Sequence, residues 1–221
     1  MAFVRIKWSQ YLEPDSELPT DVVFIVEEEY QEENQKGQQE QHQEQQQEQK
    51  KVKKVPAHKF LLAGASPVFR RQFLGAAKEN TAEVVIKDTT IEAFTTMINF
   101  LYVDPHPKQF TLEDIDCPQR LCEVVNISER YQIPDLLKMA TSALENLPVT
   151  KENLIFTAMT AKNYSVFDKV SKMLTTKCQA FLSSKLKTAE DVFSMIVRTK
   201  ESFPGADMDV LYDLLKKPTG L

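Results

Sequence analysis

The side chains that most often do chemistry in proteins are few and widely spaced in this chain of 221 residues. It has three cysteines and three histidines, namely Cys117, Cys122, Cys178, His42, His58 and His106. The cysteines form no CxxC pair, and none of these spacings matches a zinc site. An odd number of cysteines indicates free thiols in a reducing compartment. We therefore expect no metal site.

Motifs that hold a phosphate group or present a nucleophile are also missing from the sequence. Its 5 glycines form neither GxGxxG nor GxxxxGK[ST], and no GxSxG occurs. A catalytic or metal-binding role for His58 is open, but no partner motif accompanies it, so we favour a buried, hydrogen-bonded structural histidine. Ser66 is explained equally well as a helix cap. We expect a binding module without a cofactor rather than an enzyme.

Composition narrows the class of protein further. With 42% hydrophobic residues the chain is able to bury a core, and its net charge of -5 argues against general nucleic-acid binding. No apolar run approaches the roughly 20 residues that span a bilayer, and the N-terminus lacks the hydrophobic segment of a secretory signal. We expect a cytoplasmic or nuclear location, or both.

One polar tract interrupts an apolar pattern near the N-terminus. The run DVVFIV from Asp21 predicts a buried strand, and KKVPAHK resumes an extended segment after the tract. Residues 31–54 are almost entirely Gln, Glu and Lys, and they are predicted to be a disordered Gln/Glu-rich insertion in a hairpin. Glutamine ladders favour self-association, but the interspersed charges favour a passive loop. The lysine run KKVKK fits either a nuclear import or nucleic-acid contact or a solvated charge run, and we favour the last.

Two short helices follow the hairpin. The segment HKFLLAGA predicts the first, with Phe60, Leu61 and Leu62 buried. The second is predicted to begin with Ser66 as N-cap and Pro67 at the first helical position. Phe69 and Phe73 then share one face at the i, i+4 spacing.

The rest of the chain reads as one strand followed by helices. AEVVIKD predicts the strand, and Thr89 with Glu92 suggests a capping box for a core-facing helix with Phe94 and Met97. Further helices are predicted around Leu121, after Pro134, after Thr150 and after Thr188, and a last one near Leu214. Short connections between short helices favour antiparallel packing.

This order of elements, with its local motifs, resembles the BTB (POZ) domain from Leu18 to about Leu147. The residues that carry the resemblance are Asp21, His58, Lys59, Leu62, Ser66, Pro67, Val68, Phe69, Phe73, Phe94, Phe100, Leu101 and Tyr102. The resemblance implies an α+β fold, a small sheet covered by helices. Asp21, His58, Ser66, Phe69 and Phe73 are then the structural motif residues.

The resemblance also implies a domain plan. Residues 1–17 form an N-terminal segment, 18–147 the BTB/POZ domain, and 148–221 an all-helical segment similar to a BACK-type extension. The layout is similar to the C-terminal part of speckle-type POZ proteins. No MATH domain, Kelch repeat or zinc finger accompanies it, so the module that would read a protein substrate is not recognised.

BTB domains act as dimerisation and docking modules, which implies partners. Family members with a BACK-type extension often bind the cullin scaffold of a RING ubiquitin ligase through a hydrophobic-x-Glu element after the VFRRQF helix. The cullin-facing candidates are Leu74, Ala77, Lys78, Glu79 and Tyr102. Ala77 stands where the family has a large apolar side chain, which forfeits apolar burial.

A homodimer, or a pair with another BTB protein, is the other implied assembly. Family dimers use a helix ahead of the first strand, and Pro14 and Pro19 make a poor helical pattern there. The dimer candidates are Trp8, Tyr11, Leu12 and Val22. The alternative to a ligase adaptor is a scaffold or transcriptional co-regulator that docks other proteins.

Overall fold

The computed structural model describes residues 19–29, 50–75, 81–102, 110–164, 167–185, 188–202 and 208–216. Within them it has an α+β fold of three strands and nine helices. The chain divides into two compact units. One, here called the sheet unit, comprises residues 1–110 and 126–136, and the other, the helical unit, comprises 111–125 and 137–221. The domain limits predicted at 17, 147 and 221 stay a prediction.

The sheet unit contains the strands and the first three helices. Their bounds are β1 Val22–Glu29, β2 Lys50–Ala57, α1 Lys59–Ala65, α2 Pro67–Leu74, β3 Glu83–Ile86 and α3 Ile91–Leu101. β1 is central, with β2 antiparallel on one side and β3 parallel on the other. The pairing of β1 with β2 confirms the predicted hairpin.

Alternation along β1 determines which side chains form the core. Val22, Phe24 and Val26 are buried, whereas Val23 and Ile25, which point to the other face, are half-buried. Because neighbouring residues of a strand face opposite sides of a sheet, one face of β1 supplies the core. The second face carries the half-buried pair.

The end of the predicted disordered insertion is a correction. Residues 50–54 form the first part of β2, and 31–49 lie outside the described residues. The lysines pair with the acidic end of β1, in the register Glu28↔Lys51 and Glu29↔Lys50. Opposite charges across strands favour this pairing. The lysine run therefore adopts an extended conformation because it pairs with β1, and not because its own residues are apolar.

Helix starts follow local capping rules, with one correction to a predicted cap. Ser66 caps α2, since its Oγ accepts from the backbone N–H of Val68 and Phe69. The N-cap of α3 is Thr90 rather than Thr89, and its Oγ1 accepts from Ala93 N–H at 3.2 Å.

Phe60, predicted to be buried, is 78% exposed. It lies about 200° around α1 from buried Leu62, because each helical residue turns by about 100°.

The later helices belong to the helical unit, except that residues 126–130 of α4 and 134–136 of α5 are assigned to the sheet unit. The bounds are α4 Pro118–Arg130, α5 Pro134–Asn146, α6 Leu154–Asn163, α7 Asp168–Lys185, α8 Ala189–Ser202 and α9 Met208–Lys216. α6 packs against α7 and α9. Their shared core consists of Leu154, Ile155, Ala158, Cys178, Leu182 and Val210.

The predicted helix starts of this unit are confirmed by reciprocal bonds. Thr188 N–H donates to Asp191 Oδ2 at 2.9 Å, and Asp191 N–H donates to Thr188 Oγ1 at 3.1 Å. Thr150 and Asn153 make the same exchange before α6. None of the described helices is both long and apolar enough to cross a membrane.

Candidate interaction surfaces

An aromatic cluster holds α2 against the sheet. The Phe69 and Phe73 rings are stacked, with centroids 5.7 Å apart and an interplanar angle of 3°. Phe24 of β1 lies 5.7 Å from Phe69 and 6.3 Å from Phe73, and Tyr131 lies 4.6 Å from Phe69. These contacts fix the orientation of α2, and so the surface that its far side presents.

The C-terminal end of α2 is the exposed part of this arrangement. Leu74, the last residue of the helix, is 61% exposed. Gly75 N–H donates to the Arg71 carbonyl at 3.0 Å, and a Cβ at Gly75 would overlap that same oxygen. Glycine is therefore required where the chain leaves α2. The cullin-facing candidates Ala77, Lys78 and Glu79 lie outside the described residues.

Tyr102, the remaining cullin-facing candidate, needs a correction. Its side chain is 1% exposed, so it is not available at the surface of this chain. Its hydroxyl accepts from the His58 backbone N–H at 2.7 Å and lies 2.9 Å from His58 Nδ1. Since the oxygen already accepts one hydrogen bond, donation of its own hydrogen to Nδ1 satisfies both groups. The hydrogen bonds between His58 and Tyr102 therefore join the end of β2 to the end of α3.

Asp21 completes this junction from the start of β1. Its Oδ1 accepts from Lys59 N–H, the first helical residue of α1, at 2.7 Å. A carboxylate at a helix N-terminus satisfies an orphan donor and opposes the positive end of the helix dipole. Asp21 and His58 are therefore both hydrogen-bonded within the sheet unit.

We expect Tyr102→Phe to lower the free energy of unfolding by about 1 to 3 kcal/mol, because both His58 groups lose this partner while buried. Burial raises the pKa of Tyr102 from 10.0 to about 12. Because the folded state keeps this hydroxyl protonated, the raised pKa contributes stability that is fully present below pH 10. That stability is lost as the pH rises from 10 toward 12. Urea titrations at neutral pH and across that range measure both effects.

The control for this substitution is Tyr212→Phe, since Tyr212 is an exposed side chain of α9. It should change the free energy of unfolding by less than about 0.5 kcal/mol. Equal effects of the two substitutions, or an alkaline decline that persists unchanged in Tyr102→Phe, would contradict the assignment.

Ser66 makes a long-range bond that capping alone does not indicate. Besides capping α2, its hydroxyl donates to the Tyr131 carbonyl at 2.6 Å, across 65 residues of sequence. Gln132, which follows, has φ 54, in the left-handed region that non-glycine residues rarely occupy. The buried hydroxyl of Ser66 thus ties the start of α2 to the turn between α4 and α5.

Of the four dimer candidates, Val22 is the one that the structure describes. Val22 is 1% exposed within the sheet unit, so its side chain is not available to a second copy. Trp8, Tyr11 and Leu12 lie outside the described residues. Exposed Phe60 was missed, although helical geometry opposite Leu62 would have indicated it.

Two of the three cysteines, Cys122 and Cys178, are buried. Burial raises the pKa of both Cys122 and Cys178 to about 12, which keeps these thiols protonated at neutral pH. The described part of the chain holds no group of three or more side chains placed to ligate a metal. Cys178 packs in the core shared by α6, α7 and α9.

Comparison with known proteins gives the same family. The family model described as BTB/POZ domain matches residues 41–147. BTB/POZ domain-containing protein 9 of Rattus norvegicus is 26% identical over 174 residues, which cover 74% of this chain and 27% of that protein. BTB/POZ domain-containing protein 6-B of Danio rerio is 27% identical over 172 residues, covering 76% and 30%.

The chain thus spans about a quarter of the length of the first of these relatives. Among solved structures, the BTB domain of zebrafish PATZ1 matches with a TM-score of 0.37 and 15% identity, over 57% of this chain and 75% of that one. So loose a structural likeness carries no argument about function.

Proposed function

Because the chain carries a BTB/POZ domain, we propose that it is a protein–protein interaction adaptor that dimerises and recruits the cullin scaffold of a RING ubiquitin ligase to a protein substrate. The observation that carries this proposal is the exposed end of α2. The exposed Leu74 is followed there by Gly75, at a position where the backbone leaves no room for a side chain. The aromatic core behind α2 holds this leucine in a defined position, which suits a docking contact.

The function is adaptor rather than catalytic in this proposal. In the described part of the sheet unit, burial raises the pKa values of Tyr102 and Tyr131. Active sites instead tend to bring pKa values toward neutrality with a convergent acid or base. The chemistry then belongs to the recruited ligase.

A scaffold or transcriptional co-regulator is the second candidate, and a specific residue favours it. Ala77 occupies the position where cullin-binding relatives of the domain carry a large apolar side chain. A buried Met or Leu side chain is worth about 1.5 to 3 kcal/mol, so alanine would weaken the contact by about tenfold or more.

We expect Ala77→Met to strengthen binding to a purified N-terminal region of the third cullin, on the order of tenfold at most, by restoring apolar area. Glu79→Lys should weaken it by reversing a charge at the contact. Leu74→Ser should weaken it too, by removing exposed apolar area beside the element. Isothermal titration of the full chain measures each affinity, and light scattering measures the homodimer.

The matched control is Phe193→Ser, which removes an exposed apolar side chain from α8. It should leave cullin affinity unchanged, and all four variants should have a free energy of unfolding within about 0.5 kcal/mol of wild type. If wild type and Ala77→Met both fail to bind at high micromolar concentration while folded and dimeric, the ligase proposal gives way to the scaffold.

A further inference from the structure

Within the part of the chain that the structure describes, β2 is one of the two edge strands of the sheet. Among the described residues, the strand order β2-β1-β3 leaves β2 paired on one side only. β2 is eight residues long, and Lys50 to Lys54 are all exposed. The open edge of such a strand offers backbone donors and acceptors to a further strand.

The pairing pattern identifies the backbone groups that face this edge. Val23 N–H donates to the Ala82 carbonyl at 2.8 Å, on the β3 side of β1. The pair Val23↔Pro56 is therefore a non-hydrogen-bonded pair of the β1–β2 ladder, consistent with the missing N–H of proline. Alternation in an antiparallel ladder then directs the N–H and C=O groups of Lys54 and Val52 outward.

The side chains around those groups carry positive charge. Four of the five residues from Lys50 to Lys54 are lysines. Among the described residues, the acidic stretch paired with them, Glu27 to Glu29, lies on β1. A strand added to β2 would lie about 4.8 Å from the lysine backbone and about twice as far from β1, so an incoming carboxylate meets lysine first.

The contacts that Lys53 and Lys54 make with other side chains do not prevent this exchange. Lys54 Nζ lies 3.6 Å from Glu83 Oε1, and both side chains are largely exposed. Lys53 Nζ donates to Thr95 Oγ1 at 3.3 Å, also an exposed contact. Exposed pairs contribute little, so a new carboxylate replaces them at small cost.

A second copy of the chain is a poor occupant of this edge. Antiparallel pairing of two β2 edges would set lysines against lysines, which is destabilising. Val52, 56% exposed between the two lysine pairs, instead offers an apolar contact to an incoming strand.

We propose that the β2 edge binds an extended acidic peptide segment of a partner protein as an added antiparallel strand. Carboxylates of the segment lie opposite the lysines, and one apolar side chain lies opposite Val52. This surface is separate from the α2 end that carries the proposed cullin contact, and it does not depend on that contact.

The test uses the full chain and a fluorescein-labelled peptide of two glutamates, one valine and two glutamates between short glycine–serine flanks. Anisotropy should rise to saturation and the affinity should fall as salt is added. A peptide with lysines for the glutamates should not bind. N-methylation of the peptide residues that face β2 should abolish binding, because it removes their donors, and N-methylation of the alternate residues should not.

Three variants locate the binding on β2. Lys50→Gln and Lys54→Gln should each weaken it, by up to about fivefold per cross-strand pair. Val52→Pro should abolish binding by removing an outward N–H, while its melting curve stays near wild type, since edge strands tolerate proline. Lys172→Gln on α7 is the matched control and should change nothing.

Several results would overturn the proposal. They are no binding of the acidic peptide at millimolar concentration, equal binding of the lysine peptide, or indifference to both Val52→Pro and N-methylation. A short single-stranded DNA that displaces the peptide with the same lysine dependence would reassign the run to nucleic acid.

Discussion

Phe69→Ala should lower the free energy of unfolding of the sheet unit by about 3 to 5 kcal/mol, the range for aromatic truncation in a packed core. Phe69 is fully buried, and its ring contacts Phe24, Phe73 and Tyr131. Alanine removes these contacts and leaves a cavity, because β1 and α2 relax only partially into the vacated space. Urea denaturation followed by circular dichroism measures the loss.

Phe60→Ala is the matched control, one helix away in sequence and 78% exposed. It should cost less than about 0.5 kcal/mol in the same titration, because a surface side chain leaves no cavity. If the two phenylalanine substitutions cost the same, the packing assigned to α1 and α2 is incorrect.

Lys177→Met should destabilise the helical unit by about 1.5 to 3 kcal/mol, the contribution of hydrogen bonds from a charged group. Lys177 Nζ donates to the carbonyls of Leu144, Glu145 and Leu147, at 2.9, 2.7 and 2.5 Å. These lie at the C-terminal end of α5, where helix carbonyls lack intrahelical partners and a cation opposes the dipole. Methionine keeps the apolar stem but removes all three bonds.

Two opposing effects act on the pKa of Lys177. Partial burial lowers the pKa of Lys177, and the nearby Glu145 carboxylate opposes that shift. The three carbonyl oxygens accept hydrogen bonds from the charged ammonium. Lys172→Met on the same helix is the control, since Lys172 pairs only at the surface with Asp168, at 2.7 Å. It should cost no more than about 0.5 kcal/mol. A Lys177→Met protein as stable as the Lys172→Met protein would show that the α5 carbonyls find other partners.

Ser66 shows where reasoning from the sequence succeeds and where it stops. The Ser-Pro pair predicts the start of α2, because capping depends on residues within one helical turn. The bond to the Tyr131 carbonyl joins residues 65 apart, and no local pattern specifies which distant carbonyl will approach. Lys177 is a similar case, since a lysine on a helix gives no sign that it will cap another helix.

The lysine run shows the same limit in a strand. Its composition is typical of a solvated segment, and only its pairing with β1 makes it extended. For the interaction surfaces, the sequence identifies the residue types of the proposed cullin element. It does not indicate that Tyr102 faces inward, because burial of a tyrosine is decided by the packing of α3 against β1 and β2.

The position of β1 in the sheet has a consequence for synthesis on the ribosome. Both of its neighbours come later in the chain, β2 beginning at Lys50 and β3 ending at Ile86. At about 5 to 20 residues per second, several seconds separate the appearance of the apolar strand from that of its last partner. During that interval β1 lacks both neighbours, so early association of the nascent chain with a chaperone would protect it from pairing with other chains.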